Sequence, residues 1–155
     1  MTVVRYAKWQ DVPIMSVGAL DPKAWPWAHF APRELACPHC FALVIDPEAL
    51  DRLEAARLRY GAPITVASAY RCPAHPIEVA KAEAARAAGI EQYDGGAHTR
   101  GAAFDPYPAA GGNLRDMIGA LLLMEPHGFG MGLRDGRLHL HVDWDAALGR
   151  RAWGY

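Results

Sequence analysis

Two short stretches hold residue types that bind metals and move protons. In "HTRGAAFD", residues 98–105, His98 and Asp105 stand seven positions apart, with Gly101, Ala102 and Ala103 between them. In "RLHLHVD", residues 137–143, two histidines and an aspartate take alternate positions. Imidazole nitrogen and carboxylate oxygen are both zinc donors, and a catalytic zinc keeps three protein ligands and an open water position. His98 and Asp105 meet if the histidine lies in a loop and the aspartate on the strand that follows. Gly101 would permit the bend, and the alanines would let the segment pack close to a neighbour. Side chains alternate faces along a strand. Leu138, Leu140 and Val142 therefore share a core face, and His139, His141 and Asp143 share the other. Each stretch also has a plainer reading: a polar outer face, and a loop histidine unrelated to a strand-end aspartate.

A third group is sulfur-based. Cys37 and Cys40 form a C-x-x-C, and Cys72 with His75 forms a C-x-x-H. Two such pairs suit a structural zinc. One disulfide with a spare thiol, or three reduced cysteines, fits the same residues, although manufacture in the cytoplasm disfavours the disulfide.

The elements that must position these residues are legible in outline. Residues 1–28, rich in Pro and Trp, read as an irregular arm lying on the domain formed by 29–155. Asp46 can cap a helix that has Pro47 in its first turn and Gly61 at its end, with Leu50, Leu53, Leu58, Ala49 and Ala56 as the apolar face. Residues 63–70 read as a strand. Residues 76–90 read as an alanine-rich helix ending near Gly89. Asn113 begins a further helix that Pro126 stops. Residues 128–143 read as a hairpin turning at Asp135-Gly136. Helices followed by a returning hairpin predict an α+β fold. With 155 residues, 52% of them hydrophobic and 21% charged, the chain is long enough for one well-buried core. A net charge of −1 argues against a nucleic-acid binder with a basic face. No apolar run approaches the ~20 residues of a membrane span. The start "MTVVRYAKWQDVP" lacks the features of a signal peptide, so synthesis in the cytoplasm without a leader is expected.

Four segments carry a resemblance. His98, Gly101, Ala103 and Asp105 match the pattern His-x-x-Gly-x-Ala-x-Asp, and His139 with His141 match a later His-x-His. "SAYRCPAH" at 68–75 is similar to a Ser-Gly-Tyr-Arg-Cys-Pro-x-His segment, with Ala69 for Gly. "HFAPRELACPHC" at 29–40 and the closing "RRAWGY" also agree. Together, over residues 29–155, they resemble the M15 zinc peptidases: D-Ala-D-Ala carboxypeptidases and phage L-alanyl-D-glutamate endopeptidase endolysins, which share a fold with hedgehog signalling domains.

That resemblance implies a small antiparallel sheet with flanking helices. It implies one catalytic Zn²⁺ on His98, Asp105 and His141, with His139 beside it. Arg71 would reach into the cleft, where a guanidinium suits a carboxylate or a developing oxyanion. The implied substrate is the peptidoglycan stem peptide. The enzyme would act on the cell wall after release or as part of a virion, with phage virion proteins as partners. Departures matter for the general base. Many relatives carry an acid three positions before the last zinc histidine, and here that position is Leu138. Hedgehog-type members have an acid six positions before, which is Asp135. Asp143 is the rival, although orienting a ligand histidine is an equally natural use for it. Gly96 replaces the usual Ser before the first zinc histidine, and the stretch 78–96 is longer than in many relatives. Leu138 leaves a second class of function open: a non-catalytic binding or structural module that keeps the metal and the fold.

Overall fold

The structure, a computed structural model, describes residues 15–17, 20, 21 and 23–154. Most of the expected N-terminal arm (1–14, with 18, 19 and 22) lies outside the described residues. Its described end is packed on the domain. Trp27 is buried in the core and its Nε1 donates to Asp51 Oδ1 at 2.8 Å.

In chain order the elements are β1 (Met15–Ser16), α1 (Pro32–Leu35), β2 (Ala42–Leu43), α2 (Pro47–Tyr60), β3 (Ile64–Ser68), α3 (Pro76–Ala87), β4 (Ala103–Pro108), α4 (Leu114–Leu122), β5 (Gly128–Arg134), β6 (Arg137–Asp143) and β7 (Arg151–Gly154). Single 3₁₀ turns cover Ala97–Arg100 and Ala146–Leu148. This is the α+β fold expected. The main sheet has five strands in the order β3-β4-β6-β5-β7. Its pairs are antiparallel except β5 with β7, which run parallel, so the sheet is mixed rather than wholly antiparallel. Among the described residues no helix is long and apolar enough to cross a membrane.

The two main core helices begin as their caps dictate. Asp46 Oδ1 accepts from the Glu48 and Ala49 amides at the start of α2, and Asn113 Oδ1 does the same for Arg115 and Asp116 in α4. α2 buries Ala49, Leu50, Leu53 and Ala56, and α4 buries Met117, Ala120 and Leu121. The two helices pack together and close the core with Phe104 of β4 and Leu140 and Val142 of β6. Leu58, expected on the buried face of α2, is instead 62% exposed. Five residues beyond Leu53 is a rotation of about 140° on a helix of 3.6 residues per turn, which carries Leu58 out of the apolar stripe.

Strand order is what assembles the site. β4 lies between β3 and β6, with Ser68 paired to Asp105 on one side and Ala103 paired to Asp143 on the other. Asp105 is therefore flanked by the end of β3, which leads into Arg71, and by the strand that carries His141.

Candidate metal centre

His98 sits in the 3₁₀ turn before β4, as a loop histidine ahead of a strand aspartate should. Gly101 ends that turn at φ +69°, and a Cβ there would collide with the Val44 backbone. Ala102 and Ala103 are buried at 2% and 0% exposure. The small residues between the two candidate ligands thus let the chain turn sharply against a neighbouring segment and enter the sheet. Arg100 anchors the same turn from behind. Its guanidinium pairs with buried Asp145 and donates to the carbonyls of Asp94 and Gly95.

His98, Asp105 and His141 converge. His98 Nε2 is 3.2 Å from His141 Nδ1, His141 Nδ1 is 3.2 Å from Asp105 Oδ1, and His98 Nε2 is 3.3 Å from the same oxygen. Tetrahedral zinc with bonds of about 2.0–2.1 Å needs donors roughly 3.3 Å apart, so the triangle has the right size. The far ring nitrogens decide what can occupy it. His98 Nδ1 lies 2.5 Å from the carbonyl of Ala69, which can only accept, so that nitrogen carries the proton. His141 Nε2 donates to the Asp143 carboxylate at 3.0 Å. In their neutral forms the two rings therefore turn lone pairs towards one another and towards a carboxylate oxygen. Only a proton or a cation can fill that position, and the donor set of two imidazoles and a carboxylate suits zinc.

The electrostatics agree. Burial pushes His98 towards its neutral form. Burial alone would raise Asp105, but in the metal-free site a proton held on the facing nitrogens of His98 and His141, and the charge of Arg71, outweigh it and hold the carboxyl well below the usual range. Burial also opposes charging of His141, yet Asp105 and Asp143 overcome it and raise the imidazole. A carboxylate held ionised beside two imidazoles is a site prepared for positive charge.

The other residues expected at the site are distributed differently. Asp143 is fully buried behind His141. Its Oδ2 accepts from His141 Nε2 and, at 2.6 Å, from Arg151 Nη2, and its Oδ1 accepts from the Asp145 amide. That is the arrangement of a carboxylate that orients a ligand histidine, not of a base open to water. Asp135 is a correction. The β5–β6 ladder runs without a break from Gly128–Asp143 to Arg134–Arg137, and Asp135 forms the turn at its far end with φ +52°. Asp135 stands six positions before His141, up to about 20 Å along the hairpin at about 3.3 Å per residue. A continuous ladder cannot fold back over the triangle. Arg71 is also engaged otherwise than expected. It is 8% exposed, its Nη2 lies 2.5 Å from Asp105 Oδ2, its Nε donates to Ser68 Oγ, and its Nη1 is 3.8 Å from Glu78. The guanidinium therefore faces a candidate ligand directly. His139 shares the face of His141 and is half-buried, outside the triangle.

Three contributors escaped the sequence reading. Glu78 of α3 is 2% exposed and binds Lys81 Nζ and Tyr93 Oη as well as facing Arg71. The long stretch 78–96 thereby supplies a wall behind the guanidinium. Arg151 and Trp153 arrive on β7. The Trp153 ring lies 5.2 Å from that of His141 and occupies the space where Gly130 has no side chain. Their only sequence signal was the closing "RRAWGY".

Among the described residues one other cluster of metal-ligating side chains forms: Cys37, Cys40 and Cys72. His75 is not part of it. Its Nδ1 accepts the Ile77 amide and caps α3.

Residues 28–143 match the sequence model of the family described as Peptidase M15. No curated protein and no solved structure matches alongside it.

Proposed function

We propose, from the premise that the chain belongs to the peptidase M15 family, that it is a zinc-dependent peptidase that hydrolyses peptide bonds in the stem peptides of peptidoglycan. The observation that carries this reading is the donor triangle of His98, Asp105 and His141, whose spacing and fixed tautomers suit a tetrahedral cation. Zinc held there would acidify a bound water to a pKa of around 7 and polarise the scissile carbonyl.

The protein's own residues do the rest. Asp143 fixes His141 with Nδ1 free to bind, and Arg151 holds Asp143 in turn. Arg71 keeps Asp105 turned to the triangle, and Glu78 backs Arg71. Trp153 covers one side of His141 and excludes water from that flank. His139, on the same strand face as His141, is the expected site residue left to carry a proton, taking it from the attacking water and returning it to the leaving amine. The substrate is a wall peptide reached after release of the protein or from within a virion. In the latter case virion proteins are its partners.

Leu138 favours a second reading. It stands where many relatives carry an acid, and it is half-buried with no proton to exchange. A chain that keeps the metal and lacks a base is a binding or structural module. Digestion of purified cell walls, followed by mass spectrometry of the fragments, separates the two. Cleavage at one defined peptide bond that a chelator abolishes supports the peptidase. Zinc-loaded protein that binds wall fragments and leaves every bond intact supports the module.

A further inference from the structure

We propose that Cys37, Cys40 and Cys72 hold a second, structural zinc, with His39 and not His75 as the fourth ligand. The proposal goes beyond the peptidase reading and does not rest on it.

The three sulfurs come from two distant segments and lie within 4.8 Å of one another. Zinc–thiolate bonds of about 2.3 Å in a tetrahedron place sulfurs roughly 3.8 Å apart, so the cluster needs to close by no more than about 1 Å. The loop that presents Cys37 and Cys40 is a tight one. The Phe41 amide donates to the Cys37 carbonyl at 2.8 Å, and the Cys37 amide donates to the Ala42 carbonyl at 2.9 Å. Phe41 sits at φ +58° and is 75% exposed. A non-glycine residue in the left-handed region is a local strain of order 1 kcal/mol that persists only where the surroundings impose it. What it achieves here is to reverse the chain after Cys40, so that Ala42 returns to the Cys37 amide and closes the loop. The Cys72 amide donates to Cys37 Sγ at 3.3 Å, which joins the two segments at the sulfur itself.

The nitrogen ligand follows from what each imidazole already does. His39 lies inside the loop with its Nδ1 3.4 Å from Cys72 Sγ; it stands outside the three-sulfur cluster as His75 does, and its exposed ring has to turn to reach the other two sulfurs. His75 has Nδ1 committed to the Ile77 amide as a helix cap. Three thiolates and one imidazole make a closed, soft donor set, which selects zinc and leaves no open position for water. Binding would release the three thiol protons to solvent.

The cluster also has a place in the molecule that suits a clamp. Cys72 directly follows Arg71, whose amide donates to the His98 carbonyl and whose guanidinium meets Asp105. Tying residue 72 to the 37–40 loop fixes the backbone from which that arginine reaches.

The test uses the full chain carrying His141→Ala, so that the imidazole–carboxylate centre is broken and the sulfur centre is read alone. Zinc content is measured, and cobalt substitution is followed by its thiolate-to-metal charge-transfer absorption. The proposal expects one zinc per chain and a clear charge-transfer band. It expects Cys40→Ser and His39→Ala to lose metal to a mild chelator, and His75→Ala to retain it. Absence of the band, or its survival in Cys40→Ser, overturns the site. Weakening by His75→Ala but not by His39→Ala overturns the choice of histidine. Should the cysteine variants fail to fold, alkylation of the otherwise unmodified protein decides. Thiols protected until a chelator is added support the site. Thiols equally reactive before and after, or two of them joined in a disulfide in the protein as isolated, overturn it.

Discussion

Replacing Asp143 with Asn exchanges one oxygen for an amino group in a fully buried side chain, and the structure says what each oxygen does. Oδ2 accepts from both His141 Nε2 and Arg151 Nη2, and Oδ1 accepts from the Asp145 amide. An asparagine that keeps its oxygen on the Asp145 amide turns an NH₂ towards two donors. One that flips leaves the Asp145 amide without an acceptor. Either way a buried donor is orphaned, at a cost of about 1–3 kcal/mol to the fold. The larger interest is the metal. In the unflipped form nothing holds the proton on His141 Nε2, and in the flipped form a neutral amide oxygen holds it more weakly than a carboxylate, so the ring presents Nδ1 to the triangle less firmly. Loss of such an orienting partner weakens metal binding by about 10–100-fold, equivalent to roughly 1.4–2.7 kcal/mol. Zinc affinity is read by competition with a chromogenic chelator, following the equivalent of zinc that His141→Ala abolishes. An affinity within twofold of the wild type, in a variant that still folds, would refute the claim that Asp143 acts through the ring of His141.

Arg71→Ala removes the guanidinium from Asp105 and from buried Glu78, so the metal-free protein should lose stability towards the lower end of the about 3–5 kcal/mol typical of a broken buried pair. An unchanged denaturation midpoint would restore the sequence expectation of an arginine reserved for substrate. Asp135→Asn, at the far end of the hairpin, should leave turnover within twofold, and a loss of the ~10²-fold or more expected of a general base would place the turn at the metal after all. The metal-free protein should also show a pH signature from Asp105. Its folded pKa is depressed, so its stabilisation is fully present above the unfolded carboxyl value and is lost as the pH falls below that value towards the folded one. Denaturation in chelator should show wild type and Asp105→Asn drawing together below about pH 4, and a gap that widens with acid would show the sign to be wrong.

How far the sequence was legible depended on whether local chemistry determined the outcome. The caps Asp46 and Asn113, and the Asp135-Gly136 turn, act on their own neighbours and could be read directly. Strand alternation placed His139, His141 and Asp143 on one face because a period of two leaves no other choice once the strand exists. Convergence of His98 with His141 required the strand order β3-β4-β6, which the resemblance carried and residue spacing alone did not. Spacing located Arg71 near the site without revealing that its guanidinium meets Asp105 and Glu78. Asp135 misled because a match by count ignored the stiffness of a continuous ladder. His75 was paired with Cys72 by a familiar spacing, but the helix starting at Pro76 took its ring as a cap. Glu78, Arg151 and Trp153 reach the site only through packing of α3 and β7, which no local pattern announces.

The most direct measurement of the central claim is hydrolysis of a purified muropeptide by metal-stripped protein as zinc is restored, with His141→Ala in parallel. Without metal there should be no cleavage; adding zinc back should restore it in the wild type and leave His141→Ala inactive. Cleavage that survives full removal of zinc, or equal recovery in the variant, would contradict a reaction centred on His98, Asp105 and His141.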